Sequence, residues 1–160
     1  MSEGAAVLLA ALDTVGLEAL RPAGEILAAF GVGWTETLAT AAEVGLAVGA
    51  GVRAVIVASS DAGLPGAFAA TTARPVVRVP VPGAGGGGLT LLQDPATNDL
   101  PAAGSAPFAT VAIGEAGAKN AALFVVSVLA LDDPRLWAEW VAFRQRQTDA
   151  VLASSLPSVR

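Results

Sequence analysis

The stretch Val7-Leu8-Leu9-Ala10-Ala11-Leu12-Asp13-Thr14 carries the signal that decides the fold. Five consecutive apolar residues, Val7–Ala11, are typical of a parallel strand that is covered on both faces. Asp13 and Thr14 are residue types that cap helices, and apolar residues then recur at helical spacing over Leu17–Phe30, until Gly31. A buried strand that leads directly into a helix is the repeating unit of an α/β protein.

The rest of the chain repeats this alternation of strands and helices. The patterns predict strands at Ala54–Ala58, Val76–Val81 and Thr110–Ile113, and helices at Glu36–Gly49, Pro65–Thr72, Ala118–Leu131 and from Pro134 to about Leu152. Gly83–Gly88 and Thr97–Pro107 are predicted to be loops. We therefore expect an α/β fold in which helices cover both faces of a parallel sheet, with ligands bound beyond the carboxyl ends of the strands.

Length and composition restrict the class of protein further. The 160 residues have a mass of 15.8 kDa, so we expect a single domain, 1–160, with one core. Hydrophobic residues make up 54% and charged residues 14%, which excludes disorder and leaves too little polar surface to coat a monomer. We expect a homo-oligomer. The net charge of −5, with a single lysine, Lys119, argues against a nucleic-acid partner.

The chain contains no cysteine and no histidine. Disulfides, thiolate nucleophiles and imidazole bases are therefore absent, and we expect neither a metal nor a cofactor. The apolar run Val7–Leu12 is too short and wrongly flanked for a signal peptide. Leu38–Ala50 and Ala121–Leu131 are interrupted by Glu43 or fall short of the roughly 20 residues of a membrane span. We predict a cytoplasmic protein with no membrane partner.

Three segments of the last third carry a family resemblance: Phe108-Ala-Thr-Val-Ala-Ile-Gly-Glu-Ala-Gly-Ala-Lys-Asn-Ala-Ala-Leu123, Leu129-Ala-Leu-Asp-Asp-Pro134 and Arg144-Gln-Arg-Gln-Thr-Asp-Ala-Val-Leu152. They resemble the carboxy-terminal half of the PurE family, the class I carboxyaminoimidazole ribonucleotide mutases and related aminoimidazole ribonucleotide carboxylases. Pro75–Val81 resembles the family's central strand, Leu64–Gly66 the end of its glycine-rich loop, and Glu25–Val32 its first helix and turn.

This resemblance implies a three-layer αβα sandwich with a flavodoxin-like sheet, assembled as an octamer in which the C-terminal helix packs on neighbouring subunits. It also implies an enzyme that moves a carboxylate between a ring-attached nitrogen and a ring carbon of a ribonucleotide. The family uses an essential histidine for this reaction, and its loops hold the phosphate.

The loops are where this sequence departs from the family. Gly-Ser-x-Ser-Asp after the first strand is matched by Leu12-Asp13-Thr14-Val15-Gly16. We match Ser-Ala-His-Arg-Thr-Pro after the second strand to the shorter stretch Gly33–Leu38, which has neither His nor Arg. The third loop, Ala-Gly-Ala-Gly-Gly-x-x-His-Leu-Pro-Gly, is matched by Ala58–Gly66. The resemblance therefore implies a divergent member that lacks the catalytic histidine.

The acidic residues near the predicted strand ends are the candidates for acid–base chemistry. Asp13 and Asp61 follow the first and third strands of the family pattern, and Glu36 is the one ionisable residue of the stretch matched to the shortened second loop. The alternative for Asp13 and Asp61 is helix capping. For Glu36 it is a favourable position in the first turn of a helix.

Candidate ligand-binding residues occupy the same loops, with the exception of Lys119; they are Thr14, Trp34, Ser59, Ser60, Gly63 and Lys119. A helix start after Ser60 would offer amide donors to a small anionic ligand. Trp34 is placed to cover a planar ligand, or else to pack in the core or an interface. Gly85–Gly88 lacks the ending of a phosphate-binding loop. Trp137, Trp140 and Phe143 predict an interface stripe on the last helix.

Two functions remain open from the residues. One is a divergent lyase or mutase that acts on a different small carboxylated substrate. The other is a non-catalytic assembly or binding subunit, co-assembled with an active paralogue. In both, we hypothesise that the purine-pathway reaction itself is absent, because no residue takes the place of the histidine.

Overall fold

A computed structural model describes residues 6–60, 63–82 and 106–154. These residues form, in chain order, β1 Val7–Ala11, α1 Thr14–Ala29, β2 Trp34–Leu38, α2 Val44–Ala47, β3 Ala54–Ser59, α3 Gly63–Thr71, β4 Val76–Pro80, β5 Ala109–Thr110, α4 Gly114–Leu129 and α5 Pro134–Ala153. A short 3-10 turn, Ala130–Asp132, joins α4 to α5.

The five strands form one parallel sheet in the order β2-β1-β3-β4-β5. β1 lies between β2 and β3, and Val7 pairs with Trp34 on one side and with Ala54 on the other. The central strands β1, β3 and β4 are buried along their whole length, as their apolar runs predict. This strand order is the flavodoxin-like one, so the expected fold is confirmed.

Helices cover both faces of the sheet, and the buried residues form two cores, one on each face, so the prediction of a single core is wrong. On one face, Leu9 of β1 and Ile56 of β3 pack with residues of α1 and α4. On the other face, Leu8 and Val57 pack with residues of α2 and α3, including the fully buried Phe68. Successive strand residues thus enter opposite cores, as the two-residue period of a strand requires. The architecture is the three-layer αβα sandwich implied by the family resemblance.

The predicted helix Glu36–Gly49 is wrong. Its first residues belong to β2, and the helical part is reduced to the single turn of α2, Val44–Ala47. β2 is an edge strand whose side chains are mostly exposed, so it lacks the apolar run by which a buried strand is recognised. The match of Gly33–Leu38 to the family's second loop is wrong for the same reason. Residues 33–38 are mostly this strand, and the loop that follows it is residues 39–43.

Other boundaries shift by a few residues. α1 begins at Thr14, three residues before its apolar pattern, because Asp13 caps it. The strand predicted at residues 110–113 is only Ala109–Thr110, and α4 already begins at Gly114. The loops predicted at Gly83–Gly88 and over most of Thr97–Pro107 lie outside the described residues.

α4 is the most apolar long helix among the described residues. Together with the 3-10 turn it spans 19 residues, Gly114–Asp132, and is long and apolar enough to cross a membrane by length and composition alone. Its residues Ala118, Ala121 and Val125 are fully buried in the core that it shares with α1. These contacts are those of a core helix.

Gly117, in the first turns of α4, is required by a close approach of the backbone. A Cβ atom at this position would lie 1.7 Å from the carbonyl oxygen of Ala112. No side chain can be accommodated there without moving the backbone that leads from β5 into α4.

We predict that Gly117→Ala lowers the free energy of unfolding by roughly 2–3 kcal/mol, because α4 must shift away from the sheet. Gly45→Ala is the matched control, since a Cβ at Gly45 meets nothing within 4 Å and alanine favours a helix by about 1 kcal/mol. Urea unfolding followed by circular dichroism measures both. Equal stability of the two variants would contradict the steric argument.

Asp133 caps α5 with a charge. Its Oδ1 accepts hydrogen bonds from the backbone amides of Arg135, at 2.9 Å, and Leu136, at 3.0 Å. The Leu136 hydrogen bond is the main cause that lowers the pKa of the Asp133 carboxyl, with smaller contributions from the Arg135 amide and from the charges of Arg135 and Arg53. The cap is therefore strongest when this group is ionised.

The sign of the effect follows from the lowered pKa. The ionised cap stabilises the fold above the pKa of the unfolded chain, and this contribution is lost as the pH falls through the folded pKa. We predict that the difference in unfolding free energy between the wild type and Asp133→Asn is largest above about pH 5 and shrinks below about pH 4. Urea unfolding across this range measures it. A difference that does not change with pH would contradict the prediction.

Candidate functional site

A cavity of about 420 Å³ lies at the carboxyl ends of β1, β3 and β4. We call it the strand-end cavity. It is lined by the residues that follow these strands and by the starts of α1 and α3: Leu12, Asp13, Val15, Gly16, Ala41, Ala58, Ser59, Ser60, Gly63, Leu64, Val81 and Pro82. Parallel sheets of this kind bind ligands at this edge. Four of the predicted site residues, Asp13, Ser59, Ser60 and Gly63, are brought together here.

Asp13 is the one ionisable side chain in the described lining of the cavity. It lies in extended backbone after β1, and its Oδ1 accepts a hydrogen bond from the amide of Gly16 at 2.8 Å. This is the contact of a helix N-cap, so the predicted capping role of Asp13 is confirmed. Asp13 also lines the cavity, so its carboxylate gives the site a fixed acceptor and a negative charge.

Ser59 and Ser60 form the opposite side of the strand-end cavity. Ser59 ends β3 and is buried, and its carbonyl accepts a hydrogen bond from the amide of Val81 at 3.3 Å. Ser60 is half-buried, and α3 begins three residues later at Gly63. The starts of α1 and α3 thus both border the cavity, and both are engaged within the chain: Asp13 caps α1, and Gly63 at the start of α3 has a partner of its own.

The remaining lining is apolar, and the sequence analysis did not single it out. Leu12 and Val15 are 61% and 75% exposed at the mouth of the cavity, and Leu64 lies buried further in. In the sequence, only the position of these residues could have indicated them: Leu12 follows β1 directly, and Val15 lies in the first turn of α1. Exposed aliphatic side chains at the mouth of a cavity suit the apolar part of a ligand.

The loop after β2 contributes Ala41 and no charge of its own to the cavity. Within it, Glu43 Oε2 accepts hydrogen bonds from the amide of Thr40, at 2.9 Å, and from the Thr40 hydroxyl, at 2.7 Å. These two donors, the amide first, hold the pKa of the Glu43 carboxyl below its usual value. The acidic group of this loop is therefore engaged in shaping the turn.

Glu36 and Trp34 do not lie at the carboxyl ends of the strands, and their predicted loop position was wrong. Glu36 is the central residue of β2 and pairs with Leu9. Trp34 begins β2 at the opposite, amino edge of the sheet, and its indole packs over Gly24 of α1. The structure therefore favours the packing alternative for Trp34. Glu36 lies in the middle of β2 and not at the end that borders the cavity, so its position does not support a catalytic role.

Three further candidates fall outside the cavity lining. Lys119 lies on α4, where its Nζ donates to Glu115 Oε1 at 2.6 Å; this contact raises the pKa of Lys119 and lowers that of Glu115. Thr14 begins α1 beside the cavity and is exposed. Asp61 lies outside the described residues, so its predicted role is untested.

A larger cavity, of about 510 Å³, opens at the other edge of the sheet between α2 and the end of α3. Arg74 is the one ionisable residue in its described lining, and its guanidinium reaches the carbonyl of Ala50 at 3.5 Å. It holds none of the predicted site residues. Within residues 6–60, 63–82 and 106–154, no three acidic side chains cluster as a metal site would require.

A flavodoxin-like parallel sheet with a cavity at its strand ends defines a doubly wound α/β protein. The family model described as AIR carboxylase matches residues 16–150, which cover most of the chain and every element from α1 to α5. The chain belongs to the AIR carboxylase family. The resemblance seen in the loops and helices of the last third is thus confirmed at the level of the family.

Several curated relatives carry the name N5-carboxyaminoimidazole ribonucleotide mutase. That of Vibrio vulnificus is 40% identical over 95 residues, which are 59% of this chain and 56% of the relative. That of Mycobacterium leprae is 44% identical over 90 residues, 56% of this chain and 49% of the relative. That of Escherichia coli K12 is 40% identical over 94 residues, 59% and 53% of the two chains. The chain thus spans about half the length of the curated relatives it matches.

Proposed function

We propose that this protein is a binding subunit of the AIR carboxylase family, which holds a small molecule in the strand-end cavity without the carboxylate shift for which its relatives are named. The proposal rests on the small number of ionisable groups in the described lining of the cavity. Asp13 is the one such side chain in the described lining, and its carboxylate is engaged as the cap of α1.

Moving a carboxylate between a nitrogen and a carbon requires a proton to be removed from one atom and delivered to another. The group that does this works best when its pKa lies near the operating pH, which makes histidine the usual choice. The chain has no histidine, and Lys119 is paired with Glu115 away from the cavity. These features support a divergent member in which the purine-pathway reaction is absent.

Asp13 also supports a second candidate function, a lyase or mutase reaction on a different small carboxylated substrate. It lines the same cavity as the hydroxyl-bearing residues Ser59 and Ser60. In that case Asp13 exchanges the proton while the serines orient the substrate. Asp61 would be the further acidic candidate, by its place in the sequence beside Ser60.

We predict no turnover of N5-carboxyaminoimidazole ribonucleotide by the purified protein above the background of the uncatalysed reaction. The Escherichia coli relative, purified in the same way, is the positive control. The assay follows the carboxylated imidazole product by absorbance. Turnover that Asp13→Asn abolishes would overturn the proposal of a binding subunit and would establish Asp13 as the acid–base group.

The last helix supports an assembled state. Leu136 is the one fully buried residue of α5, and the turns from residue 144 onward are exposed. Two members of the predicted stripe, Trp140 and Phe143, pack on Phe30 of the same chain, with ring centroids 6.2 and 5.4 Å apart, so that part of the interface prediction is wrong. Trp137 stays exposed. Trp137 and Val141, both 49% exposed, and Leu152, 78% exposed, form a different stripe on one side of the helix, at spacings of four and eleven residues. We propose that this stripe packs on neighbouring subunits in a cytoplasmic homo-oligomer, with the octamer as the expected form. Assembly with an active PurE-like paralogue is the alternative.

We predict that the wild type elutes as an oligomer in size-exclusion chromatography with light scattering, and that Val141→Asp combined with Leu152→Asp dissociates it. Buried carboxylates without partners strongly disfavour an interface. Ala150→Asp is the control, because it adds the same charge on the opposite side of the same helix. A monomeric wild type would contradict the homo-oligomer, and a double variant that stays assembled would contradict the assignment of the stripe.

A further inference from the structure

The described lining of the strand-end cavity carries a single charge, the negative charge of Asp13. The chain has nine lysines and arginines, and none of those within residues 6–60, 63–82 and 106–154 lines the cavity. Four form ion pairs with carboxylates elsewhere: Arg21, Arg53, Lys119 and Arg135. Arg74 lies at the amino edge of the sheet, and Arg78 is fully buried in the middle of β4. The described lining therefore presents the charge of Asp13 without a compensating cation.

The sequence adds no cation from the adjoining stretches. Residues 61–62 join Ser60 to Gly63, and residues 83–105 follow Pro82; both stretches lie outside the described residues. They contain no lysine or arginine, whereas Asp61, Asp94 and Asp99 are among them. A phosphate ester, which carries close to two negative charges at neutral pH, finds no cationic partner in these parts of the chain.

The start of α1 is already occupied by an anion of the chain itself. A helix N-terminus attracts a ligand's negative group through its free amides. Here Asp13 Oδ1 accepts from the Gly16 amide at 2.8 Å, so an amide that would face a bound anion is used internally. That hydrogen bond takes one of about four lone-pair positions of the carboxylate, and the others can accept a donor from a ligand.

The apolar mouth of the cavity gives the second property of the ligand. Leu12 and Val15 keep 61% and 75% of their surface exposed beside Asp13, and Leu64 and Val81 continue the apolar lining. Burial of such surface against an apolar ligand is favourable, at about 25 cal/mol for each Å² removed from water. A polar sugar phosphate gains little from these side chains.

We propose that the strand-end cavity takes a small molecule with an apolar body and a hydrogen-bond-donating head, an amine or an alcohol, which binds the Asp13 carboxylate, and that it discriminates against phosphate esters. This inference rests on the proposed function only in that the cavity binds a small molecule. It names the class of that molecule by the charge of Asp13 and by the aliphatic rim.

The test uses four probes with the same four-carbon body: n-butylamine, n-butanol, butyrate and n-butyl phosphate. Each is titrated into the purified full-length protein at constant ionic strength and followed by saturation-transfer difference NMR. We expect n-butylamine to bind at least about tenfold more tightly than n-butyl phosphate, because one is attracted and the other repelled by Asp13. n-Butanol is expected to bind between them.

Asp13→Asn removes the charge and keeps a residue that caps helices well. We expect it to abolish the preference for the amine, whereas Asp133→Asn, the same change at the cap of α5, should leave the preference intact. Tighter binding of butyrate or n-butyl phosphate than of n-butylamine would overturn the inference, as would the absence of binding by all four probes. The mutase assay uses none of these probes, so it tests the proposed function independently of the ligand class inferred here.

Discussion

The parallel pairing of β1 with β3 is the constraint on which the rest of the structure depends. Ala11 pairs with Ala58, so the residues that follow the two strands leave the sheet side by side. Leu12 and Asp13 therefore lie across from Ser59 and Ser60, with α1 and α3 starting from the same edge. The position of the site follows from this register. Its chemistry depends only on which residues stand at those places.

Most of the fold was predictable because its central strands are buried on both faces. Val7–Ala11 and Ala54–Ala58 are continuous apolar runs, and β1 and β3 fall where these runs predict, with β3 one residue longer. β2 was missed because an exposed edge strand needs no apolar run, and because Glu36 and Leu38 followed by alanines also suit a helix. The prediction followed the helix propensity of these residues, whereas in the structure their pairing with β1 makes them a strand.

The candidate site was predictable to the same extent as the strand ends. Asp13, Ser59, Ser60 and Gly63 were found because they follow strands that were recognised, and they meet in one cavity. Glu36 and Trp34 were misplaced because the strand that holds them was not recognised. The apolar lining was not singled out, since aliphatic residues carry no chemical signature until the structure shows that Leu12 and Val15 face solvent.

Asp13 joins two properties that are separable in this fold. It stabilises the start of α1 through the Gly16 amide, and it sets the charge of the cavity. Serine and asparagine cap helices about as well as aspartate does, so a single substitution here can remove the negative charge from the cavity at little cost to the helix. Ligand preference in this lineage can thus diverge one residue at a time on an unchanged scaffold, and the same position offers protein engineers a control of specificity that leaves folding largely untouched.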